Sequence, residues 1–405
     1  MDRRSEVVAS QDTASRVNAL LVVHTDDKRG GVQAVVDTVA GWLEANGHRV
    51  LLFHNGESVW LTNRTTKLGY PGVRLRLCWP FSPLRGVLRT AGFPLVFPVV
   101  LAQLLWLLRS RRIQVVNLHY PMDHFVYFAI CRRLLGIRLV TSVHGRDAFY
   151  KERPLDKYSR AMAFIISSSD LVILPSEAYR KMLAEAFPES RDKIVFIHNA
   201  VNPTTFTPAD DDSTPAGSAP YILCIAELQE YKAIDVLLDA ARILFEDDPQ
   251  LTLVLAGDGP MRQALEDQAA AIGIRHRVHF LGTQDVAELV TLLRRCRVAV
   301  LPSRMEPFGI AILEAFACRR PVVATAVGGV PEIITHEVNG LLVEPENPAA
   351  LAAGLRRVLA DDALGRQLAS NGYSTMMDRF CSPRQGADYE RAFASLTRNG
   401  AGPVS

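Results

Sequence analysis

Two glutamates, Glu306 and Glu314, stand in an apolar part of the chain where a charged side chain needs a physical reason to be present. Glu306 lies in a predicted loop, which Pro307 keeps from regular structure, and Glu314 lies on the second turn of the helix predicted to follow. The residues of that helix, 309–318, are apolar on almost every side, so the helix must be buried. An unpaired buried charge costs several kcal/mol, on the order of 3–5. Glu314 is therefore expected to have a partner.

The start of the same helix can bind an anion. Its first N–H groups have no partner within the helix, and a glycine lets a ligand approach the backbone closely. These groups belong to Phe308, Gly309 and Ile310. A nucleotide sugar suits the pattern, because its diphosphate would bind the N–H groups while its two sugars would reach the two glutamates. A second glycine loop after the next predicted strand, Gly328–Glu332, favours such a ligand.

A structural alternative explains the two glutamates without any ligand. Glu314 would pair with Arg319 or Arg320, and Glu306 would be an ordinary loop residue. The spacing of the residues does not decide between the two hypotheses.

The elements that must position these residues alternate between strand and helix along the chain, which indicates α/β sheets with parallel strands. Seven strands are predicted in the first half, at Val17–His24, Val50–His54, Val73–Cys78, Val115–His119, Arg138–His144, Leu171–Pro175 and Ile194–Asn199. Residues 207–220 have the composition of a surface linker. Six more strands are predicted after it, at Tyr221–Ala226, Leu251–Ala256, Val278–Leu281, Arg297–Leu301, Pro321–Thr325 and Leu341–Glu344. This order predicts two doubly wound, Rossmann-like domains in tandem, with a ligand cleft between the carboxyl ends of their strands.

The residues around the two glutamates resemble the signature of the family 4 retaining glycosyltransferases. The similar segments are PSRMEPFGIAILEA, PVVATAVGGVPEII and NGLLVEPENP. The resemblance implies the GT-B fold, in which two Rossmann-like domains face each other across an interdomain cleft. It implies an acceptor-side domain, a linker, a domain that binds the nucleotide sugar, and a C-terminal helix that packs back on the first domain. Their expected boundaries are 1–206, 207–220, 221–381 and 382–405.

The resemblance also implies roles for single residues. Lys232 is expected to neutralise the donor diphosphate, and Glu314 to bind the ribose. Two residues are expected to be catalytic: Glu306 would orient the hydroxyls of the donor sugar, and His144, in the segment VHGRD, would lie near its reacting face. The other donor-site residues expected are Gly30, Gly31, Gly257, Gly259, Leu281 and Arg304, together with the N–H groups of Phe308, Gly309 and Ile310. On the acceptor side the resemblance and the strand ends place His119, Arg146 and Asp147.

Two of these assignments have simpler alternatives. Gly30 and Gly31, in the segment TDDKRGGVQ, would form a plain turn if they do not face the diphosphate. His119 ends a predicted strand, and a histidine there is often a hydrogen-bonded structural residue.

Three positions depart from the family pattern in the segment ILCIAELQEYKAIDVLLDA. Ala226 and Ala233 replace glycines, and Glu227 replaces an arginine. A carboxylate that faces a diphosphate is repelled by roughly a few kcal/mol at an effective dielectric constant near 20. Glu227 must therefore turn away, hold a cation or alter how the donor is bound. The missing positive charge has three candidates: Arg29, Arg146 and Arg304.

Composition places the chain among ordinary globular proteins, with 405 residues, of which 48% are hydrophobic and 22% charged. The six cysteines form no CxxC pair and no metal-binding spacing, which is typical of a reducing compartment. The first sixteen residues contain no apolar run, so a cytoplasmic protein without a signal peptide is expected.

Charge is distributed unevenly along the chain. Lys and Arg number 27 against 17 Asp and Glu up to Thr205, and therefore 18 against 26 afterwards. Ser58–Met122 contains no acid, and its nine basic residues alternate with aromatic residues. This pattern favours peripheral contact with an anionic membrane, on the inner face of the plasma membrane, whereas no motif supports nucleic acid. Its apolar part, 93–108, would make a helix of about 24 Å and contains two prolines, so it is expected to lie on a membrane or inside the domain.

The sequence therefore predicts a glycosyltransferase that moves a sugar from a nucleotide diphosphate sugar to an acceptor, a lipid-linked or membrane-presented glycan. Retention of anomeric configuration and the absence of a metal or other cofactor follow from the resemblance. A nucleotide-sugar epimerase would convert the donor without an acceptor, and a non-catalytic nucleotide-sugar-binding protein would account for Glu227. A dehydrogenase is disfavoured because the dinucleotide fingerprint is missing.

Overall fold

The structure is a computed structural model that describes residues 16–23, 31–66, 69–77, 87–145, 160–209 and 220–398. The first of its two sheets has eight strands in the order β3-β4-β2-β1-β5-β6-β7-β8, all parallel except β3. The strands are β1 Asn18–Val23, β2 Arg49–Asn55, β3 Thr62–Thr65, β4 Pro71–Leu75, β5 Val115–His119, β6 Arg138–Ser142, β7 Leu171–Leu174 and β8 Ile194–Phe196.

The second sheet has six parallel strands in the order β11-β10-β9-β12-β13-β14. The strands are β9 Tyr221–Ile225, β10 Thr252–Ala256, β11 Val278–Gly282, β12 Val298–Leu301, β13 Val322–Thr325 and β14 Leu341–Val343.

Thirteen α-helices connect or cover these strands in the described ranges. In the first half they are α1 Gly31–Ala45, α2 Val87–Ser110, α3 Val126–Leu135, α4 Arg160–Ser168 and α5 Glu177–Ala186. In the second half they are α6 Ile234–Asp247, α7 Arg262–Ala271, α8 Val286–Arg295, α9 Ile310–Ala317, α10 Val330–Ile333, α11 Pro348–Ala360, α12 Asp362–Arg379 and α13 Ser382–Arg398. Each sheet has a buried apolar cluster on both faces, as a doubly wound arrangement requires.

All thirteen predicted strands are present, with ends that differ by at most three residues where the structure describes them. The prediction missed β3, an antiparallel edge strand. Its sequence, TNRT, is polar and mostly exposed, so it carries none of the apolar alternation that marks a half-buried strand.

Both sheets reverse their strand order next to their first strand. In the first sheet the reversal lies between β1 and β5, and in the second it lies between β9 and β12. Loops that follow these strands diverge there and leave a crevice at the carboxyl ends, where open α/β sheets bind ligands. The loops after β9 and β12 carry Lys232 and Glu306, and His119 ends β5 while His144 follows β6. The loop after β1, with Gly30, lies outside the described residues.

The chain passes between the two halves of the molecule twice, at neighbouring points. Val201 N donates to Phe380 O over 3.0 Å, and Ser382 N donates to Val201 O over 3.0 Å. Beyond this double crossing, α13 packs against α1, and its Tyr389 and Phe393 are buried in the core of the first sheet.

Candidate functional site

The loops after β9 and β12 bring a lysine and a glutamate together. Lys232 Nζ lies 2.5 Å from Glu306 Oε2, and the two side chains are only 15% and 8% exposed. Burial opposes the charged form of Lys232, but the attraction of the Glu306 carboxylate outweighs it and raises the Lys232 pKa. Ser303 Oγ lies 3.4 Å from the same carboxylate oxygen. The pair thus places one positive and one negative side chain at the reversal point of the second sheet.

Backbone contacts hold the Glu306 loop in place. Arg304 N donates to Tyr231 O over 2.8 Å, which ties the loop to the turn that carries Lys232. On the other side, Gly329 N donates to Glu306 O over 3.0 Å. A Cβ added at Gly328, whose φ is +53°, would lie 2.0 Å from Glu306 O. The glycines of the second glycine loop are therefore needed for close loop packing.

Glu314 lies on α9, partly buried, and forms no ion pair or side-chain hydrogen bond with any described residue. The alternative in which it pairs with Arg319 or Arg320 is therefore wrong. Arg319 instead lies over the ring of Tyr373, 4.6 Å from its centroid, and Arg320 Nε donates to Cys318 O. Desolvation by burial raises the pKa of Glu314 to about 7. A ligand that donates hydrogen bonds to the carboxylate would compensate this cost.

Two helix starts face each other across the cleft. A Cβ added at Gly31, the first residue of α1, would lie 2.9 Å from Ile310 Cδ1, at the start of α9. Gly309 precedes α9 with φ +115°, a left-handed conformation that favours glycine. The N–H groups of Phe308, Gly309 and Ile310 donate no hydrogen bond to the described residues. The two positive helix ends suit an anion between them.

His144 and His119 lie at the ends of neighbouring strands and touch. Their ring planes are nearly parallel, at 20° to each other, with centroids 5.4 Å apart, and His119 Nδ1 lies 3.2 Å from His144 Nε2. Burial lowers the pKa of His144 to about 4 and that of His119 well below its ordinary value, so both rings are neutral at pH 7. A Cβ added at Gly145 would lie 2.0 Å from Pro307 Cγ, so the His144 loop contacts the Glu306 loop across the cleft.

A chain of hydrogen bonds runs from α13 to His144 and fixes its tautomer. Tyr389 OH lies 3.3 Å from Ser142 Oγ, and Ser142 Oγ donates to Asn117 Oδ1. The Asn117 amide is then left to donate to His119 Nε2 over 2.9 Å, so the proton of His119 is on Nδ1. His119 donates this proton to His144 Nε2, which leaves the proton of His144 on Nδ1. His119 thus orients His144, a role its position at a strand end does not reveal.

Arg304 forms ion pairs with two carboxylates. Its guanidinium lies 2.6 Å from Asp235 Oδ2 and 2.8 Å from Glu346 Oε1. These two carboxylates balance its charge in the structure. Of the other two candidates for the missing charge, Arg29 and Arg146 lie outside the described residues, as does Asp147.

Glu227, which stands where the family has an arginine, is exposed and accepts a hydrogen bond from Gln229 Nε2 over 2.9 Å. Ala233 adopts φ +52°, a left-handed conformation that explains the glycine of the family pattern at this position.

The loop after β10 has a packing reason for its glycines. A Cβ added at Gly257, whose φ is +148°, would lie 1.9 Å from Ala226 O, and one at Gly259 would lie 2.5 Å from Leu228 O. Both glycines therefore bring this loop against the loop after β9, and their presence does not by itself indicate a ligand. Leu281, at the end of the neighbouring strand, is 41% exposed, as a leucine that contacts a nucleobase would be. In the described ranges no group of three His, Cys, Asp or Glu residues could hold a metal ion.

Glu332 makes a contact that the sequence did not predict. Its carboxylate accepts hydrogen bonds from Glu177 N and Ala178 N, at the start of α5, over 3.0 and 2.9 Å. His198 Nε2 lies 3.2 Å from it, and Ser176 Oγ donates to Pro307 O nearby. These bonds join the two domains beside the cleft. A negative residue near a helix start was the signal available in the sequence. Sequence alone does not show that Glu332 contacts the start of α5, which belongs to the other domain.

Removal of the Glu332 carboxylate is expected to destabilise the protein. The Glu332→Ala variant should lose about 1.5–3 kcal/mol of the free energy of unfolding, the value of hydrogen bonds to a charged group. Glu337→Ala is the matched control, because Glu337 is exposed and pairs with Arg357 at the surface, where an ion pair contributes little to stability. Urea unfolding at pH 7 measures both, and equal losses would contradict the interdomain role.

Hydrogen bonds also lower the pKa of Glu332 below its ordinary value, against the desolvation that would raise it. Its contribution is therefore full above the unfolded-state pKa and is lost as the pH falls through the folded-state pKa. We expect the difference between wild type and Glu332→Ala to shrink in acid.

The chain is similar to known proteins over most of its length. A family model described as "Glycosyl transferases group 1" matches residues 207–375, and one described as "Glycosyltransferase Family 4" matches residues 29–205. An uncharacterized glycosyltransferase of Methanocaldococcus jannaschii is 32% identical over 298 residues, which cover 68% of this chain and 74% of that one. N-acetyl-alpha-D-glucosaminyl L-malate synthase of Bacillus anthracis is 28% identical over 302 residues, 72% of this chain and 77% of that one.

Solved structures share the fold. Sucrose-phosphate synthase from Thermosynechococcus elongatus superposes with a TM-score of 0.76 and 22% identity, over 95% of this chain and 100% of that one. Anabaena HepE, solved in complex with UDP-glucose, superposes with a TM-score of 0.76 and 21% identity, over 94% of this chain and 100% of that one.

Proposed function

The chain belongs to the family 4 glycosyltransferases, and from this premise we propose that it transfers a hexosyl group from a nucleotide diphosphate sugar with retention of anomeric configuration. Its two sheets form the GT-B fold that the sequence predicted. The observation that carries the proposal is the Lys232–Glu306 pair beside the start of α9, at the reversal point of the second sheet.

The donor diphosphate is proposed to lie between the starts of α9 and α1. The unused N–H groups of Phe308, Gly309 and Ile310 would bind its oxygens, and the Lys232 ammonium would balance part of its charge. When the bond between the sugar carbon and the diphosphate oxygen breaks, negative charge grows on that oxygen, and these groups would stabilise it in place of a metal ion.

The two sugars of the donor are proposed to contact the two glutamates. Glu306, held by Lys232, would accept hydrogen bonds from hydroxyls of the transferred sugar, and Glu314 would accept them from the ribose. His144 is neutral, so it would orient the reacting face by contact with it and would not act as a cation. Leu281 would contact the base.

The acceptor is proposed to be a glycan that is linked to lipid or presented at a membrane. The absence of acids over Ser58–Met122, in the acceptor-side domain, supports this proposal. The same feature supports a place at the inner face of the plasma membrane in the cytoplasm.

One experiment tests both the donor and the stereochemistry. A thermal-shift panel of uridine, guanosine and adenosine diphosphate hexoses should show a rise in melting temperature with one base. That donor is then incubated with enzyme and methanol as a small acceptor, because a methyl glycoside does not change its anomeric form afterwards. Proton NMR of an α-linked donor's product should show the methyl α-glycoside.

Three results would contradict the proposal. A methyl β-glycoside would exclude retention. Conversion of the donor to an epimer without methanol would favour the epimerase. Tight binding of one donor without transfer to methanol, water or a membrane extract would favour a non-catalytic binding protein.

A further inference from the structure

One face of α2 is apolar and exposed. Leu95, Val99 and Trp106 on this face are 79%, 40% and 63% exposed, and Ala102 between them is exposed as well. Intervals of four, three and four residues place them on one side of the helix, over about 16 Å. We call these four residues the α2 ridge.

Trp60 extends the α2 ridge sideways. Leu61 N donates to Gln103 Oε1 over 2.8 Å, and Gln103 Nε2 donates to Val59 O over 2.9 Å. Trp60, between these two bonds, is therefore held beside α2, and its side chain is 64% exposed. The described ranges contain nine large apolar residues that are exposed, and four of them lie in this one surface. Such a concentration indicates an interaction site and not random exposure.

The opposite face of α2 keeps the helix in the domain. Val100, Leu104, Leu107 and Leu108 are at most 1% exposed and lie in the core of the first sheet. By length and composition alone, Phe93–Ser110 could cross a membrane, and 22% of that window is buried. To span, however, the helix would have to expose this core and carry Pro94 and Pro98 through the bilayer. The α2 ridge can meet a membrane only from the side.

Positive charge lies at the C-terminal end of the α2 ridge. Arg109, Arg111 and Arg112 follow its last residue, are exposed, and form no ion pair with any described residue. The sequence around them, Ser58–Met122, has nine basic residues and no acid. An apolar face bordered by unopposed arginines is complementary to anionic lipid, whose headgroups attract the arginines while its acyl chains accept the apolar residues.

We propose that the α2 ridge and Trp60 insert into the interfacial layer of an anionic bilayer while Arg109, Arg111 and Arg112 contact its headgroups. A helix that connects two parallel strands runs antiparallel to them, so the Leu95 end of α2 lies toward the carboxyl edge of the first sheet. A membrane along the ridge would therefore pass beside the mouth of the cleft. This deepens, and in that respect rests on, the proposed membrane-presented acceptor.

Vesicle sedimentation tests the α2 ridge directly. Wild-type protein is mixed, at low salt and without nucleotide sugar, with phosphatidylcholine vesicles that do or do not contain phosphatidylglycerol. We expect it to pellet with the anionic vesicles and to be released by alkaline carbonate, as a peripheral protein is. The Leu95→Ser, Trp106→Ser double variant should partition at least about tenfold less. Replacement of the three arginines by glutamine should reduce binding to anionic vesicles on the order of 100-fold.

The matched control is the Leu134→Ser, Val338→Ser double variant, which removes two apolar residues that are 57% and 51% exposed elsewhere. It should bind as wild type does. Circular dichroism melts check that each variant is folded. If the Leu95→Ser, Trp106→Ser variant does not fold, the arginine variant still tests the proposal.

The proposal is overturned if wild-type protein stays in the supernatant, or if the folded ridge and arginine variants bind as well as wild type. Light scattering gives a further outcome: a wild-type dimer that the ridge variant converts to monomer, with no vesicle binding, would make the ridge a self-interface. Because no turnover is measured, failure here leaves sugar transfer in place. Failure of transfer to methanol likewise leaves vesicle binding in place.

Discussion

The Lys232→Met variant is expected to lose roughly 10²–10³-fold in kcat, the effect of removing one group that stabilises charge in the transition state. It is also expected to be less stable than wild type by about 3 kcal/mol. The reason is the Glu306 carboxylate, which is 8% exposed and would lose its ion-pair partner. Initial-rate kinetics with the donor found in the thermal-shift panel, and urea unfolding, measure the two effects.

A double variant separates catalysis from folding. Lys232→Met with Glu306→Gln removes both charges, so most of the lost stability should return, while activity should stay low because both residues are proposed to contact the donor. Lys181→Met, on the exposed side of α5, is the matched control and should change neither quantity. If activity returned together with stability, Lys232 would be a structural residue and its proposed role in the diphosphate site would be wrong.

The second prediction concerns Glu314 and pH. Because the pKa of Glu314 is raised to about 7, the free protein carries a largely protonated carboxyl at pH 6 and a largely ionised one at pH 8. The ionised form accepts hydrogen bonds from ribose hydroxyls, so donor binding should tighten about tenfold between these values and release a proton. Calorimetry in buffers of different ionisation enthalpy measures the release.

Glu314→Gln should abolish both this proton release and the pH dependence. It should also cost about 1.5–3 kcal/mol, or roughly 10- to 150-fold, in kcat/KM at pH 8. Glu246→Gln, an exposed glutamate of α6, is the control. An unchanged kcat/KM in Glu314→Gln would remove Glu314 from the site.

The raised pKa of Glu314 also predicts the direction in which stability changes with pH. Between the unfolded-state value of 4.5 and the folded-state value of about 7, the folded protein binds a proton at Glu314 that the unfolded chain does not. The contribution of Glu314 to stability therefore falls as the pH rises through this window. Glu314→Gln should accordingly be more favourable to stability at pH 8 than at pH 5.

Sequence patterns were sufficient for the fold because its strands are buried on both faces. Runs such as Leu171–Leu174 and Val298–Leu301 are apolar throughout, so they are visible without any knowledge of their neighbours. The edge strand Thr62–Thr65 is polar and takes its form from pairing with β4, which a local pattern does not show.

The candidate site was less visible in the sequence because its contacts join residues that are far apart along the chain. The spacing of Glu306 and Glu314 marked the loop and the helix, but the partner of Glu306, Lys232, is 74 residues away in the sequence. Arg304 was expected near the donor because its charge is favourable there. In the structure Arg304 pairs with Asp235 and Glu346. Such pairing depends on distances between separate elements, which the sequence does not show. Glu332 and His119 are likewise defined by contacts with residues more than twenty positions away.

The two neighbouring crossings at Val201 and at Phe380–Ser382 restrict how the halves of the enzyme can move. The two parallel chain segments are hydrogen-bonded to each other, so they define one hinge axis between the halves. Rotation about this axis leaves the hydrogen bonds between the two segments intact, whereas sliding one half along the other would break them. Any opening that admits a donor should therefore be a rotation about this axis, and a cross-link between the two halves, placed far from the axis, should prevent it.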